Sequence, residues 1–166
     1  VLARGMTLSI GTPAPDFSLA GTDGTGDPTG ERHYSLSEFR GLVVVLVFYP
    51  ADWSAVCTDE LSVFNAALPL FGKKDAVVLG VSVDSAWCHQ AFAKDRGLHF
   101  DLLSDFEPKG EVSKRYGAYD FGAGVSRRAL FVIDRDGTAA WSFLSPVALN
   151  PGADRALDAL DALPAN

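Results

Sequence analysis

Cys57 occupies the point where a strand-like segment gives way to a helix-like one. Residues 41–49 form a continuous apolar run that stops at Pro50, and the segment after Cys57 has apolar residues at helical spacing. Unpaired N–H groups and the positive end of the helix dipole favour an anion at such a position, so they stabilise a thiolate. The position therefore favours a nucleophile, although free cysteines are more often small buried apolar residues.

The residues around Cys57 favour chemistry over plain burial. Ser54 lies three residues earlier, one helical turn back, so its hydroxyl can approach the sulfur. Pro50 has no N–H to donate and can form one wall of a pocket. Arg128 enters a strand expected inside the sheet, where its cation would hold a small oxygen-bearing substrate against a thiolate. Taken alone, Arg128 would be interpreted as a surface arginine at a strand end. The hypothesis of a reactive cysteine therefore rests on Pro50, Ser54, Cys57 and Arg128 together.

The composition is that of a globular protein and excludes several classes of partner. The 166 residues are 48% hydrophobic and 21% charged, with a net charge of −7 and a pI near 4.8. Lys and Arg are scattered, so we expect neither nucleic acid nor an anionic membrane surface as a partner. No apolar run approaches the roughly 20 residues of a transmembrane helix. We expect one domain over residues 1–166.

The cysteine usage and the N-terminal segment favour a cytoplasmic protein. The first 11 residues lack the apolar stretch of a signal peptide, and Met6 is the expected natural start, with residues 1–5 an upstream extension. Two cysteines do not make a secreted disulfide framework, so a reducing compartment is expected. No metal site is expected, because no second cysteine lies near Cys57 and the three histidines show no ligand spacing.

The pattern of elements predicts an α/β chain with a mixed sheet. Alternating pieces at 16–20 and 32–36 predict an N-terminal hairpin with a long loop. Further strands are predicted at 41–49, 76–83, 100–105, 128–134 and 137–145, the last two as an antiparallel hairpin. Helices are predicted at 59–73, at 85–97 with Ser85 as N-cap and Gly97 as stop, at 108–119 and at 154–163.

Several segments, taken together, resemble the peroxiredoxins. PADWSAVC at 50–57 is similar to the family's P-x-x-x-[T/S]-x-x-C loop, and CTDEL continues it as C-T-x-E. APDFSL, GVSVDSAWCHQAF, LLSD and YGAYDFGAGVSRRALFVIDRDG resemble further family segments, in family order over residues 13–137. The resemblance implies a thioredoxin-like fold with an N-terminal β-hairpin extension. It also implies a thiol-dependent peroxidase that reduces hydrogen peroxide and small organic hydroperoxides without a cofactor.

The resemblance assigns a role to each residue of the loop motif. Cys57 is the expected peroxidatic nucleophile, which attacks the terminal peroxide oxygen and becomes a sulfenic acid. The hydroxyl of Ser54 would bond the thiolate and the peroxide, and Pro50 would shield the sulfenic acid. Arg128 would stabilise the thiolate and the developing oxyanion, and Glu60 would orient that arginine.

Two further residues near the motif, Trp53 and Tyr49, are expected to support or flank the site. Trp53 forms a pocket rim or an interface, and Tyr49 is counted among the supporting residues. Arg127 should point to the opposite face of the strand from Arg128. Ser54 stands where threonine is also found in the family, and loses the methyl that limits threonine's rotamers.

Cys88 is the one candidate for a resolving cysteine. It precedes the family's helix histidine, His89, and lies early on its own helix, so two elements would have to unwind before it met Cys57. The pattern therefore resembles the one-cysteine, AhpE-type subgroup, which an external thiol recycles: thioredoxin, mycoredoxin or a low-molecular-weight thiol. The alternatives are a Cys57–Cys88 pair, and a thioredoxin-fold binding or chaperone module with a vestigial cysteine. A homodimer or higher homo-oligomer is expected through the face with Trp53, Trp87 and Cys88.

Overall fold

The structure, a computed structural model, describes residues 6–22 and 32–164. Residues 1–5 and most of the predicted hairpin loop, 23–31, lie outside the described residues. The strands are β1 (Ser18–Ala20), β2 (His33–Ser35), β3 (Val43–Phe48), β4 (Ala76–Ser82), β5 (Asp101–Ser104), β6 (Tyr119–Asp120), β7 (Val125–Ser126), β8 (Ala129–Ile133) and β9 (Ala139–Leu144). The helices are α1 (Ala55–Gly72), α2 (Ala86–Arg96), α3 (Glu111–Arg115) and α4 (Asp154–Asp161), with a 3-10 turn at Leu36–Phe39.

The central sheet is mixed, as the sequence predicts. Its strand order is β5-β4-β3-β8-β9; β3, β4 and β5 are parallel to one another, whereas β8 runs antiparallel to both β3 and β9. The predicted β8–β9 hairpin is therefore confirmed. Every residue of β3 is buried, because this strand lies in the middle of the sheet and both of its faces are covered. The register pairs Phe48 with Ala129, so the chain leaves β3 beside the start of β8.

Two apolar clusters cover the two faces of the sheet. One cluster joins alternate residues of β3, such as Val45 and Val47, to buried residues of α1, α2 and α4, including Phe64 and Phe92. The other joins the remaining residues of β3, such as Phe48, to α3 and to the N-terminal segment. Because side chains alternate along β3, the helices α1, α2 and α4 all pack on one face of the sheet, and Cys57 lies on that face.

The N-terminal segment pairs with both edges of the central sheet. At the β9 edge, the N–H of Gly11 donates to the carbonyl of Ala139 (2.8 Å). At the β5 edge, the N–H of Thr22 donates to Leu102 O (3.1 Å), and the Thr22 hydroxyl accepts from the N–H of Leu102 (3.0 Å). Gly21 permits this approach, since a Cβ there would lie 2.6 Å from a methyl of Leu103. The predicted hairpin is confirmed as the antiparallel pair β1–β2.

Serine caps begin both helices that carry a cysteine. The side chain of Ser54 accepts a hydrogen bond from Cys57 N, and that of Ser85 accepts one from Cys88 N. Helix α2 ends at Gly97, which is left-handed (φ 61°), so the predicted start and stop of this helix are confirmed. The β6–β7 ladder is too short to show in the sequence pattern. No helix within the described ranges has the length and apolar character needed to cross a bilayer.

Candidate active site

Cys57 lies in the first turn of α1, directly after the loop that follows β3. The Ser54 hydroxyl accepts from the N–H of Cys57 (3.2 Å), and the hydroxyl of Thr58 donates to Ser54 O (2.8 Å). This bonding uses a lone pair of the Ser54 hydroxyl and leaves its proton available for the sulfur or a ligand. The side chain of Cys57 is fully buried, packed in the cluster that includes Leu61 and Phe64.

Arg128 brings a buried cation to the sulfur. It stands immediately before β8, and only 2% of it is exposed. Its Nη2 donates to Cys57 Sγ (3.3 Å), Nη1 donates to Glu60 Oε2 (2.5 Å) and Nε donates to Val147 O (2.9 Å). Removing a guanidinium from water costs several kcal/mol unless anions and acceptors surround it. Here the sulfur of Cys57, a carboxylate oxygen of Glu60 and the carbonyl of Val147 surround the guanidinium.

Glu60 completes the charged group on α1, one turn beyond Cys57. Its side chain is fully buried, and its second oxygen, Oε1, has no hydrogen-bond partner among the residues that the structure describes. Burial raises the pKa of Glu60 to about 7, while the hydrogen bond and charge of Arg128 act in the opposite direction. The site therefore holds one guanidinium between two acidic groups.

The other residues expected at the site lie at its margins. Pro50 is half-buried in the loop between β3 and α1. Trp53 is 48% exposed and has a positive φ of 70°, unusual for an aromatic residue; its ring meets Phe92 edge-on at 5.2 Å. Arg127 is half-buried, and the structure brings Arg128, not Arg127, to the sulfur.

Tyr49 belongs to a second buried network that the sequence reasoning missed. Its hydroxyl donates to Asp52 Oδ1 (2.7 Å), and Asp52 Oδ2 meets Nδ1 of His89 at 2.7 Å. The other ring nitrogen of His89 lies 3.0 Å from Leu103 O, so both ring nitrogens face oxygen atoms. The network ties the loop before α1 to α2 and β5. The sequence analysis names Tyr49 and His89, but nothing in the sequence pairs either of them with Asp52.

The comparisons with known proteins agree on one family. The AhpC/TSA family model matches residues 10–142. Alkyl hydroperoxide reductase E of Mycobacterium tuberculosis is 37% identical over 131 residues, which are 78% of this chain and 81% of the relative. Peroxiredoxin tpx1 of Schizosaccharomyces pombe is 35% identical over 165 residues, covering 95% and 82% of the two chains. The reduced 2-Cys peroxiredoxin of Plasmodium vivax has a TM-score of 0.81 at 30% identity, covering 92% of this chain and 80% of that one.

The chain belongs to the AhpC/TSA family. It is a peroxiredoxin, a thiol-dependent peroxidase, and the expected thioredoxin-like fold is confirmed. Members of this family are typically oligomeric and use peroxide substrates and thiol reductants.

The second cysteine of this peroxiredoxin lies among acidic groups. Cys88 is half-buried in the first turn of α2, and its thiol points to Asp84 Oδ1 at 3.9 Å. Burial first, and then the charges of Asp52 and Asp84, raise the pKa of the Cys88 thiol to about 11. Asp52, Asp84 and Cys88 place potential metal-ligand atoms within 4.8 Å of one another. Both carboxylates already accept hydrogen bonds from protein donors.

Substitution of Arg128 should cost far more reactivity than substitution of its neighbour. Arg128→Ala removes the donor on the sulfur, so we expect the peroxide reaction to slow by up to ~10²–10³-fold, the scale of losing one oxyanion donor. Arg127→Ala is the matched control and should change the rate little. Stopped-flow kinetics with pre-reduced proteins measure both, and the opposite ranking would contradict the site described above.

Glu60 should make stability depend on pH. Because the folded-state pKa is raised from 4.5 to about 7, the folded state binds more protons than the unfolded state between these values. The stabilising contribution is complete below pH 4.5 and is lost as the pH rises through about 7. Glu60→Gln keeps the shape and removes the titration. Denaturant unfolding should therefore show a smaller difference in the free energy of unfolding between about pH 5 and about pH 8 in the variant than in the wild type. Equal differences in the two proteins would contradict this assignment.

Proposed function

We propose that Cys57 is the peroxidatic nucleophile, with which this peroxiredoxin reduces hydrogen peroxide and small organic hydroperoxides. The observation that carries the proposal is the buried Arg128 guanidinium, which donates to the sulfur at 3.3 Å. A buried cation with its donor on sulfur lowers the free energy of the thiolate, the reactive form. It also stands where negative charge develops as the peroxide bond breaks.

The chemical step needs positioning and charge stabilisation rather than a cofactor. The Cys57 thiolate attacks the terminal oxygen of the hydroperoxide, the S–O bond forms and the O–O bond breaks. The electron pair of that bond leaves with the remaining oxygen, which takes a proton and departs as water or an alcohol. The donors of Arg128 and the Ser54 hydroxyl stabilise the charge along this path, and Pro50 shields the sulfenic acid.

Complete burial of Cys57 supports a terminal peroxide group as the reacting part of the substrate. The sulfur has no exposed surface, so we expect a small terminal group to reach it more readily than a bulky one. Hydrogen peroxide and R–O–OH both present such a group, and the rest of an organic hydroperoxide would remain outside. A disulfide bond within a protein substrate is surrounded by bulky groups, so we expect it to reach the buried sulfur poorly.

The Cys57→Ser variant tests the proposal directly. We expect it to fold and to lose peroxide consumption, because an alcohol at this position is neither ionised near neutral pH nor a strong nucleophile. Cys88→Ser is the matched control and should retain the rate. Stopped-flow peroxide consumption by pre-reduced protein measures all three proteins. Substantial activity in Cys57→Ser would exclude this nucleophile and favour a binding or chaperone role.

Recycling by an external thiol is part of the same proposal. The pKa of about 11 leaves the Cys88 thiol largely protonated near neutral pH, so it is a weak attacking group for a sulfenic acid. Cys57 and Cys88 each stand in the first turn of a capped helix, and the buried sulfur of Cys57 would have to leave its site to meet another. Thioredoxin, mycoredoxin or a low-molecular-weight thiol would then supply the reducing equivalents.

Mass spectrometry after one equivalent of peroxide separates the one-cysteine and two-cysteine mechanisms. If Cys57 works alone, its sulfenic acid should be trapped by dimedone, and excess peroxide should drive it to sulfinic acid. The Cys88→Ser variant should behave in the same way. A stoichiometric Cys57–Cys88 disulfide in the wild type, with faster overoxidation in Cys88→Ser, would end the one-cysteine proposal.

A homodimer in a reducing cytoplasm is the proposed working form of this single domain. Trp53 and Trp87 are 48% and 63% exposed, and a second copy covering them would remove two large aromatic surfaces from water. Light scattering should show a dimer that Trp87→Asp weakens, while the control Phe106→Asp, at another exposed aromatic, leaves it intact. A wild type that stays monomeric at micromolar concentration would refute the dimer.

A further inference from the structure

The guanidinium of Arg128 is held at each of its three nitrogens. Two partners, Cys57 and Glu60, belong to the first two turns of α1, and the third is the main-chain carbonyl of Val147. The guanidinium is a rigid planar fork, so fixing Nε fixes the direction in which the two Nη groups point. The Val147 carbonyl therefore contributes to the aim of Nη2 at the sulfur.

The Val147 carbonyl belongs to the central peptide of a tight turn after β9. The N–H of Leu149 donates to Pro146 O (3.0 Å), with Val147 and Ala148 as the two central residues. The dihedral angles on either side of this central peptide differ by about 150–170° between type I and type II turns, so the carbonyl faces opposite ways in the two types. The non-glycine residues with positive φ in the described ranges are Trp53 and Asp75, so Ala148 lacks the positive φ of type II.

Ser145 anchors this turn to the arginine that the turn contacts. Its backbone N–H donates to the backbone carbonyl of Arg128 (2.9 Å), where the β8–β9 ladder ends. Its hydroxyl lies 3.0 Å from Leu149 O and 3.3 Å from Pro146 O, at the two ends of the turn. Ser145 is buried, whereas the four turn residues are exposed. One serine therefore joins the main chain of Arg128 to the turn that holds its side chain.

We infer that Ser145 is a positioning residue, which through the Pro146–Leu149 turn presents the Val147 carbonyl to Arg128 and so aligns the guanidinium with Cys57. The inference rests on the proposed role of Arg128 at the sulfur. Ser145 does not touch the reacting atoms and acts through the turn. Loss of its hydroxyl frees the turn from its anchor, and the central peptide can then rotate away from Nε.

The pH profile of Cys57 alkylation tests the inference. Ser145→Ala removes the anchor, and Ala148→Gly admits the type II turn that reverses the Val147 carbonyl. The control is Ser142→Ala, a half-buried serine on β9. Peptide-level mass spectrometry would follow the reaction of Cys57 with iodoacetamide from acid to alkaline pH.

In both test variants, the pH at which the alkylation rate of Cys57 is half-maximal should be higher than in the wild type. We expect the rate near neutral pH to fall about three- to tenfold, the effect of weakening one hydrogen bond to a charged group. A general loosening of the structure would instead expose the thiol and raise the alkylation rate. The Ser142→Ala profile should superimpose on that of the wild type.

The inference would be overturned if the pH profile of Cys57 alkylation were the same in Ala148→Gly, Ser142→Ala and the wild type. Ala148 is exposed, so we expect the Ala148→Gly variant to fold and to give a pH profile even if Ser145→Ala does not fold. Alkylation needs no peroxide, so an absent peroxidase reaction would overturn the proposed function and leave the pH shift measurable. A pH shift in both test variants supports Ser145 independently of which peroxide the protein reduces.

Discussion

The buried guanidinium of Arg128 is the interaction on which the site depends. Its desolvation costs several kcal/mol, and that cost is offset only when every nitrogen meets a well-placed acceptor. The acceptors come from α1 and from the turn after β9, which are far apart in the sequence. The sheet makes their meeting possible: the pairing of Phe48 with Ala129 sets Arg128 beside the loop that leads into α1. A register change of one residue would turn the arginine to the other face.

The two cysteines show that a helix N-terminus does not by itself set the electrostatic surroundings of a thiol. Each follows a capping serine by three residues, and in each case the backbone N–H of the cysteine donates to that serine at 3.2 Å. What differs is the nearest charge. Cys57 receives a guanidinium donor, whereas Cys88 faces the carboxylate of Asp84. The same local helix geometry thus places one cysteine beside a cation and the other beside a carboxylate, because their nearest charged neighbours have opposite signs.

The sequence predicted those parts of the molecule that depend on local pattern. The buried strand β3, the start of α2 at Ser85 and its end at Gly97 follow from periodicity and capping, and all three are confirmed. Arg128 was singled out through the family motif, and strand alternation distinguished it from Arg127. Family resemblance thus supplied a long-range pairing that local pattern alone leaves open.

Contacts between distant segments were beyond the sequence reasoning. Asp52 is one polar residue in the loop between β3 and α1, yet it pairs with His89, 37 residues away. Tyr49 is predicted to be a supporting residue without a stated contact, and its hydroxyl belongs to that second network. The Val147 carbonyl is a main-chain group that every residue possesses, so no residue type could mark it. Its role depends on where a turn places one peptide.

The N-terminal segment, finally, limits how the sheet can meet other sheets. Edge strands carry unpaired N–H and C=O groups that invite pairing with another chain. Here Thr22 takes up the main-chain groups of Leu102 at one edge, and residues near Gly11 do the same for the beginning of β9 at the other. A chain shortened past Thr22 would lose both covers at once and expose the short strand β5 as a template for aggregation. The segment before the first strand of the central sheet thus protects the folded protein from intermolecular strand pairing, separately from any part it has in the chemistry.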